Sequence, residues 1–216
     1  MQANPKSNLF TNLQLIFYQI GEGGNFLSRL FSLSPNTIFL WHTGTCGCIP
    51  KDHSLEEKLK YYNYTEEIRN WMVDAHLTPS VNYMVKHYWK NYWEHNNTLI
   101  GCVHYHEYNS NMFQNFLQKN INYFSIKMTE NCRNYLRQQL NLSHSPIYNT
   151  EEIIKSKNFN YIDMDLLLSN NENFLNEYKR ICNLMNIDPI DSSTVINFFE
   201  NWKKYRKKFS YIALTK

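Results

Sequence analysis

The stretch Leu13–Trp41, LQLIFYQIGEGGNFLSRLFSLSPNTIFLW, decides the fold. Leu13 to Ile20 is a short apolar run rich in Ile, Phe and Tyr, which by length and composition is a buried strand. Gly21-Glu22-Gly23-Gly24-Asn25 breaks it with a cluster suited to a turn. Phe26, Leu27, Leu30, Phe31 and Leu33 then recur at helix spacing until Ser34-Pro35-Asn36 ends the helix. Thr37 to Trp41 is a second strand. Strand, glycine turn, helix and strand in so short a span make a βαβ unit, whose crossover is right-handed.

Outward from this unit the alternation continues. Lys51 to His95 reads as a helical, polar-aromatic insertion, with helices over Leu55–Tyr62 and Glu66–Met72 and another opened by Pro79. Thr98–Tyr105 and Asn122–Met128 are further strands, separated by a short helix over Met112–Lys119. Thr129 is placed to cap a helix running to Leu140. Asn160–Leu168 begins with strand-like alternation and turns wholly apolar. Glu172–Met185 is an amphipathic helix, and Asp191 or Ser192 opens a last helix through Lys208. The expected fold is a single α/β domain over residues 1–216, three-layered and P-loop-like. It has a central, mainly parallel sheet, flanking helices and the insertion at about 51–95.

Composition narrows the function classes. Lys plus Arg total 22 against 19 Asp plus Glu, a net charge of +3 that lacks the basic excess of a protein coating duplex nucleic acid. Hydrophobic residues at 43% are enough for a core. No apolar run is long enough to span a membrane. The polar start, Met1 to Asn12, lacks the order of a signal peptide, and five cysteines without regular spacing fit reduced thiols; the expectation is a cytoplasmic protein.

In a parallel α/β domain the first strand-to-helix turn is a natural anion site, because unpaired N–H groups and the helix dipole meet there. Gly21, Gly23 and Gly24 allow close backbone approach, and Asn25 adds an amide; the plain alternative is a tight turn and nothing more. A Walker A loop is not present. Ser28 stands where its hydroxyl residue would be, but Leu27 replaces the Lys and Phe26 the last glycine.

In these pieces the chain resembles the sulfotransferase family, relatives of P-loop kinases that need no metal. GEGGNFLSRL (Gly21–Leu30) looks like the loop that binds the 5′-phosphosulfate end of the donor, and TLIGCVHYH (Thr98–His106) is similar to the strand that delivers a catalytic histidine. Asn122–Leu136 sits where the family recognises the donor's 3′-phosphate. Asn160–Met185 looks like its C-terminal strand–helix unit. The resemblance implies transfer of a sulfuryl group from 3′-phosphoadenosine 5′-phosphosulfate (PAPS) to a hydroxyl or amine of a small-molecule or carbohydrate acceptor, without a metal; hydropathy and charge argue against a membrane and nucleic acid as partners. It implies donor contacts from Gly21, Gly23, Gly24, Asn25, Phe26, Ser28 and Arg29, and a 3′-phosphate pocket from Lys127 and Arg133, with Arg206 as a further candidate. Glu22 holds the place where family members commonly carry a Lys; Arg29, Arg133 and Arg137 are the available sources of the missing positive charge.

The acceptor must lose a proton, and a neutral imidazole suits that step. His104 and His106 lie two apart at the end of the third strand, where ligands bind in open parallel sheets. His104 matches the family's catalytic histidine best, with His106 in reserve; Glu107 either orients an imidazole or acts as base itself. The plain alternative is a structural histidine at a strand end. Cys46 and Cys48 lack a second pair for a structural zinc site. The aromatic run Tyr83–Trp93 reads as helix packing or a stacking surface, and the basic cluster Lys203–Lys208 as a solvated face or a phosphate contact. The other class of function is a P-loop-like nucleotide- or phosphate-binding protein, or kinase relative, without sulfuryl transfer.

Overall fold

The computed structural model describes residues 13–40, 54–62, 98–105, 121–139, 147 and 158–213. Within them the chain runs β1 (Leu13–Tyr18), α1 (Gly24–Phe31), β2 (Thr37–Leu40), α2 (Leu55–Tyr62), β3 (Thr98–His104), β4 (Ile121–Lys127), α3 (Glu130–Gln138), β5 (Phe159–Asp163), α4 (Met164–Ser169), α5 (Asn171–Met185) and α6 (Ser192–Ala213). The five strands form one sheet in the order β2-β3-β1-β4-β5, and every pair is parallel. It is an α/β fold; all six residues of β1, the central strand, are buried, while Asn122 and Lys127 of β4 and Tyr161 of β5 stay exposed.

Register sorts the side chains. Ile16 lies opposite Cys102 and Phe124, Phe39 opposite Ile100, and Ile126 opposite Ile162. Strand residues alternate between faces, so these share one face. It meets Phe26, Leu27, Leu30 and Phe31 of α1, Phe174, Tyr178 and Ile181 of α5, and Phe198, Phe199 and Trp202 of α6 in one buried cluster. Phe26 stacks on Trp202 with centroids 4.1 Å apart, and Phe174 on Phe199 at 4.2 Å. The opposite face carries an aromatic group in which Phe17 touches Tyr105, Tyr123 and Phe159.

Boundaries differ from the sequence reading where local hydrogen bonding decides them. The first strand ends at Tyr18, two residues before Ile20, because Gln19 already begins the turn: the Glu22 N–H donates to its carbonyl at 3.1 Å. The stretch 160–168 is not one strand. Asp163 Oδ1 accepts the Leu166 N–H at 3.1 Å, caps α4 and converts the apolar run into a helix. Thr129 caps α3 as expected, its hydroxyl accepting from the Cys132 N–H at 3.3 Å. Asp191 rather than Ser192 caps α6, accepting from the Thr194 N–H at 2.9 Å. Helix α6 runs five residues past Lys208, to Ala213. Of the insertion at 51–95, residues 54–62 fall among the described residues, and Leu55–Tyr62 is helical. The expected helices at Glu66–Met72, from Pro79 and at Met112–Lys119 lie outside them. Among the described residues no helix is long and apolar enough to cross a membrane.

Candidate functional site

Strand order places the β1–α1 turn at the centre of the sheet edge. The connection leaving β1 passes over β3 to reach β2, whereas those leaving β3 and β4 run toward the other edge. Connections from neighbouring strands that run toward opposite edges mark a topological switch point at β1. Such switch points leave a crevice at the carboxyl ends of the strands, the usual ligand position in open α/β sheets.

The turn itself depends on its glycines. Gly21 has φ 89° and Gly23 φ 90°, the left-handed region that a side chain disfavours. Gly23 is also the N-cap of α1, so α1 opens with no side chain from its cap residue to answer its first N–H groups. A Cβ on Gly23 would stand 3.2 Å from Met164 Cε and 3.3 Å from Trp202 Cζ2. A Cβ on Gly24 would run into the Tyr18 ring. Gly21 is tied down by Arg206, whose Nη2 donates to the Gly21 carbonyl at 3.1 Å and also to the Leu136 carbonyl. Arg206 Nε donates to Gln139 Oε1 at 3.2 Å, and its guanidinium lies 5.0 Å from the Trp202 ring centroid. Arg206 thus joins α6, α3 and the turn.

Glu22 folds back into the turn, buried, accepting the Gln19 N–H at 2.8 Å through Oε2. Its Oε1 accepts from Arg133 Nε of α3 at 2.7 Å. One residue before Arg133, the Cys132 thiol is pushed up to about 12 by burial and by the nearby acids Asp165, Asp163 and Glu22. Asp165 accepts both the Thr129 N–H (2.6 Å) and the Thr129 hydroxyl (2.7 Å), clamping the β4–α3 turn to α4. Lys127 is exposed at the end of β4, in register with Asp163. Arg133 is therefore held by a fixed carboxylate, and Lys127 stands in register beside Asp163.

The other expected residues fall in different places. Phe26, Ser28 and Arg29 are fully buried in α1. Phe26 belongs to the aromatic core, and Arg29 Nη1 donates to the Tyr62 carbonyl at 3.4 Å, tying α1 to α2. Asn25 is partly buried at the helix start, where Oδ1 accepts the Cys102 thiol at 2.9 Å. Arg137 is buried in α3. His104 ends β3 level with Tyr18 of β1, while His106 and Glu107, like Cys46, Cys48 and Tyr83–Trp93, lie outside the described residues. So Gly21, Gly23, Gly24, Asn25, Arg133 and Arg206 gather at the β1–α1 turn, with Lys127 at the neighbouring strand end.

Three participants were missed by the sequence reading. Tyr105, just after β3, shares a 2.5 Å hydrogen bond with Ser125 of β4, and its phenol is pushed up to about 12, mainly by burial. Asp165 and Glu177 fix the β5 end; Glu177 accepts the Asp163 N–H at 2.7 Å and pairs with Arg180 at 2.6 Å. Only the Asp-x-Asp at the strand end signalled this cluster. Among the described residues no group of three or more His, Cys, Asp or Glu is arranged to hold a metal. The chain matches no family model, no curated protein and no solved structure.

Proposed function

We propose that the fold is of the P-loop-like type and that the protein is sulfotransferase-like, moving a sulfuryl group from PAPS to a hydroxyl or amine acceptor. The observation that carries this reading is the glycine turn feeding the N-terminus of α1 at the switch point of an all-parallel sheet. The opening N–H groups of α1 and the turn are the donors for the 5′-phosphosulfate. Lys127 and Arg133, on the adjacent strand end and helix, are the candidates for the 3′-phosphate, with Arg206 holding the turn in shape.

In the reaction the acceptor O–H or N–H gives its proton to a base at the end of β3, His104 first and His106 or Glu107 otherwise. The acceptor atom attacks sulfur, the bond between sulfur and the bridging 5′-phosphate oxygen breaks, and adenosine 3′,5′-bisphosphate leaves. Backbone donors at the turn offset the charge that develops on that phosphate. The acceptor is a small molecule or carbohydrate, and the protein works in the cytoplasm.

The test is transfer of labelled sulfuryl from PAPS to a panel of sugar, phenol and amine acceptors. Transfer by the wild type that falls ~10²-fold or more in His104→Ala, with unchanged affinity for adenosine 3′,5′-bisphosphate, supports the reading. No transfer to any acceptor, together with a melting temperature raised by ATP plus magnesium and not by the bisphosphate, supports a second one. That second reading, nucleotide binding without sulfuryl transfer, is favoured by the loop carboxylate of Glu22 where a cation would serve the phosphosulfate.

A further inference from the structure

The turn already contains an anion of its own. Glu22 is 1% exposed, although glutamate is seldom fully buried unless paired. Its two oxygens use a backbone N–H of the turn, from Gln19, and a guanidinium reaching across from α3, Arg133. A backbone donor at a strand-to-helix turn and an arginine fork are the two kinds of partner that a phosphate recruits. The Arg133 side chain retains 23% exposure, so its guanidinium has a route to solvent and to a ligand at the strand ends.

We propose that Glu22 is an intramolecular stand-in for the ligand, and that a phosphorylated nucleotide binds by displacing its carboxylate and taking over the Gln19 N–H and Arg133. This rests on the reading of the turn as a phosphate site. A ligand must then supply enough charge to replace an internal ion pair and tolerate a displaced carboxylate nearby. Ligands carrying two phosphoryl groups meet that demand better than a single phosphate does. The apparent affinity is reduced by the fraction of molecules in which Glu22 has vacated the turn.

The experiment is calorimetric titration of the full chain with adenosine 3′,5′-bisphosphate, comparing the wild type with Glu22→Gln. Glutamine keeps the size and can still accept from Gln19, but it has no charge to hold Arg133. The expected result is tighter binding by the variant, by about tenfold or more. Equal or weaker binding by the variant overturns the stand-in role while leaving the phosphate site in place. Absence of binding by both proteins overturns the phosphate-site reading and the inference with it. If Glu22→Gln does not fold, Glu22→Asp replaces it: one methylene too short to span both donors, it carries the same expectation and the same contrary results.

Discussion

Gly24 and Arg206 set the turn from opposite sides, one by having no side chain and the other by having a long one. Any Cβ on Gly24 collides with the Tyr18 ring at the end of β1, so that glycine is explained by packing without reference to a ligand. Gly24→Ala should lower the unfolding free energy by ~1–3 kcal/mol, the usual range for overpacking, read from chemical denaturation. An unchanged midpoint would mean that β1 and α1 are not so closely apposed. Arg206 satisfies the buried Leu136 carbonyl and the part-buried Gly21 carbonyl, which are left without this donor if it is removed. Arg206→Met keeps much of the stacking bulk beside Trp202 and removes the donors, and should cost ~1–3 kcal/mol. Its loss should also weaken nucleotide binding at the turn it braces. Full stability in this variant would show the guanidinium to be dispensable to the turn.

At the scale of elements, two contacts decide how neighbouring pieces are held. Lys58 of α2 is buried and donates through Nζ to the Ser34 carbonyl at 2.5 Å and to the Thr37 hydroxyl at 3.3 Å. Burial lowers its pKa from 10.5 to about 8. Between those values the unfolded chain binds more protons at this site than the folded one, so this group makes stability rise with pH. Its charge opposes folding fully below about pH 8, and the penalty is relieved as pH climbs toward 10.5. The wild type should therefore gain stability relative to Lys58→Met across pH 8 to 10; a flat difference would place the amine in water. The second contact is the Thr129–Asp165 clamp between the β4–α3 turn and α4. Thr129→Ala and Asp165→Ala should be non-additive, with a coupling of ~0.5–3 kcal/mol in a double-mutant cycle. Additive losses would contradict it.

Much of this level was legible in the chain. Strand type, the α1 stripe and the Thr129 cap follow from periodicity and capping chemistry, which are local. The conversion of 164–169 into a helix was not, because Met164, Leu167 and Leu168 are apolar in either structure and only the Asp163 cap discriminates. The site was legible as a position rather than a set of partners. The glycine cluster announces a turn between β1 and α1, but nothing local reveals that Glu22 meets Arg133, 111 residues away. Equally, Ser28 and Arg29 read as polar residues next to the glycines. Helix geometry turns them into the core, where Arg29 holds the Tyr62 carbonyl.

For the molecule as a whole, the order β2-β3-β1-β4-β5 places the glycine turn at the topological switch point at β1, and that placement links the fold to a ligand. The central claim is that this turn and the start of α1 receive the phosphate next to the transferred group. It is tested most directly by following the backbone amide resonances of the full chain as adenosine 3′,5′-bisphosphate is added. Binding at the turn predicts saturable shifts largest for the backbone amides of Gln19 through Asn25 and of Arg133, with smaller changes along β2 and α5. Saturable shifts centred elsewhere, or none at millimolar ligand, would contradict it.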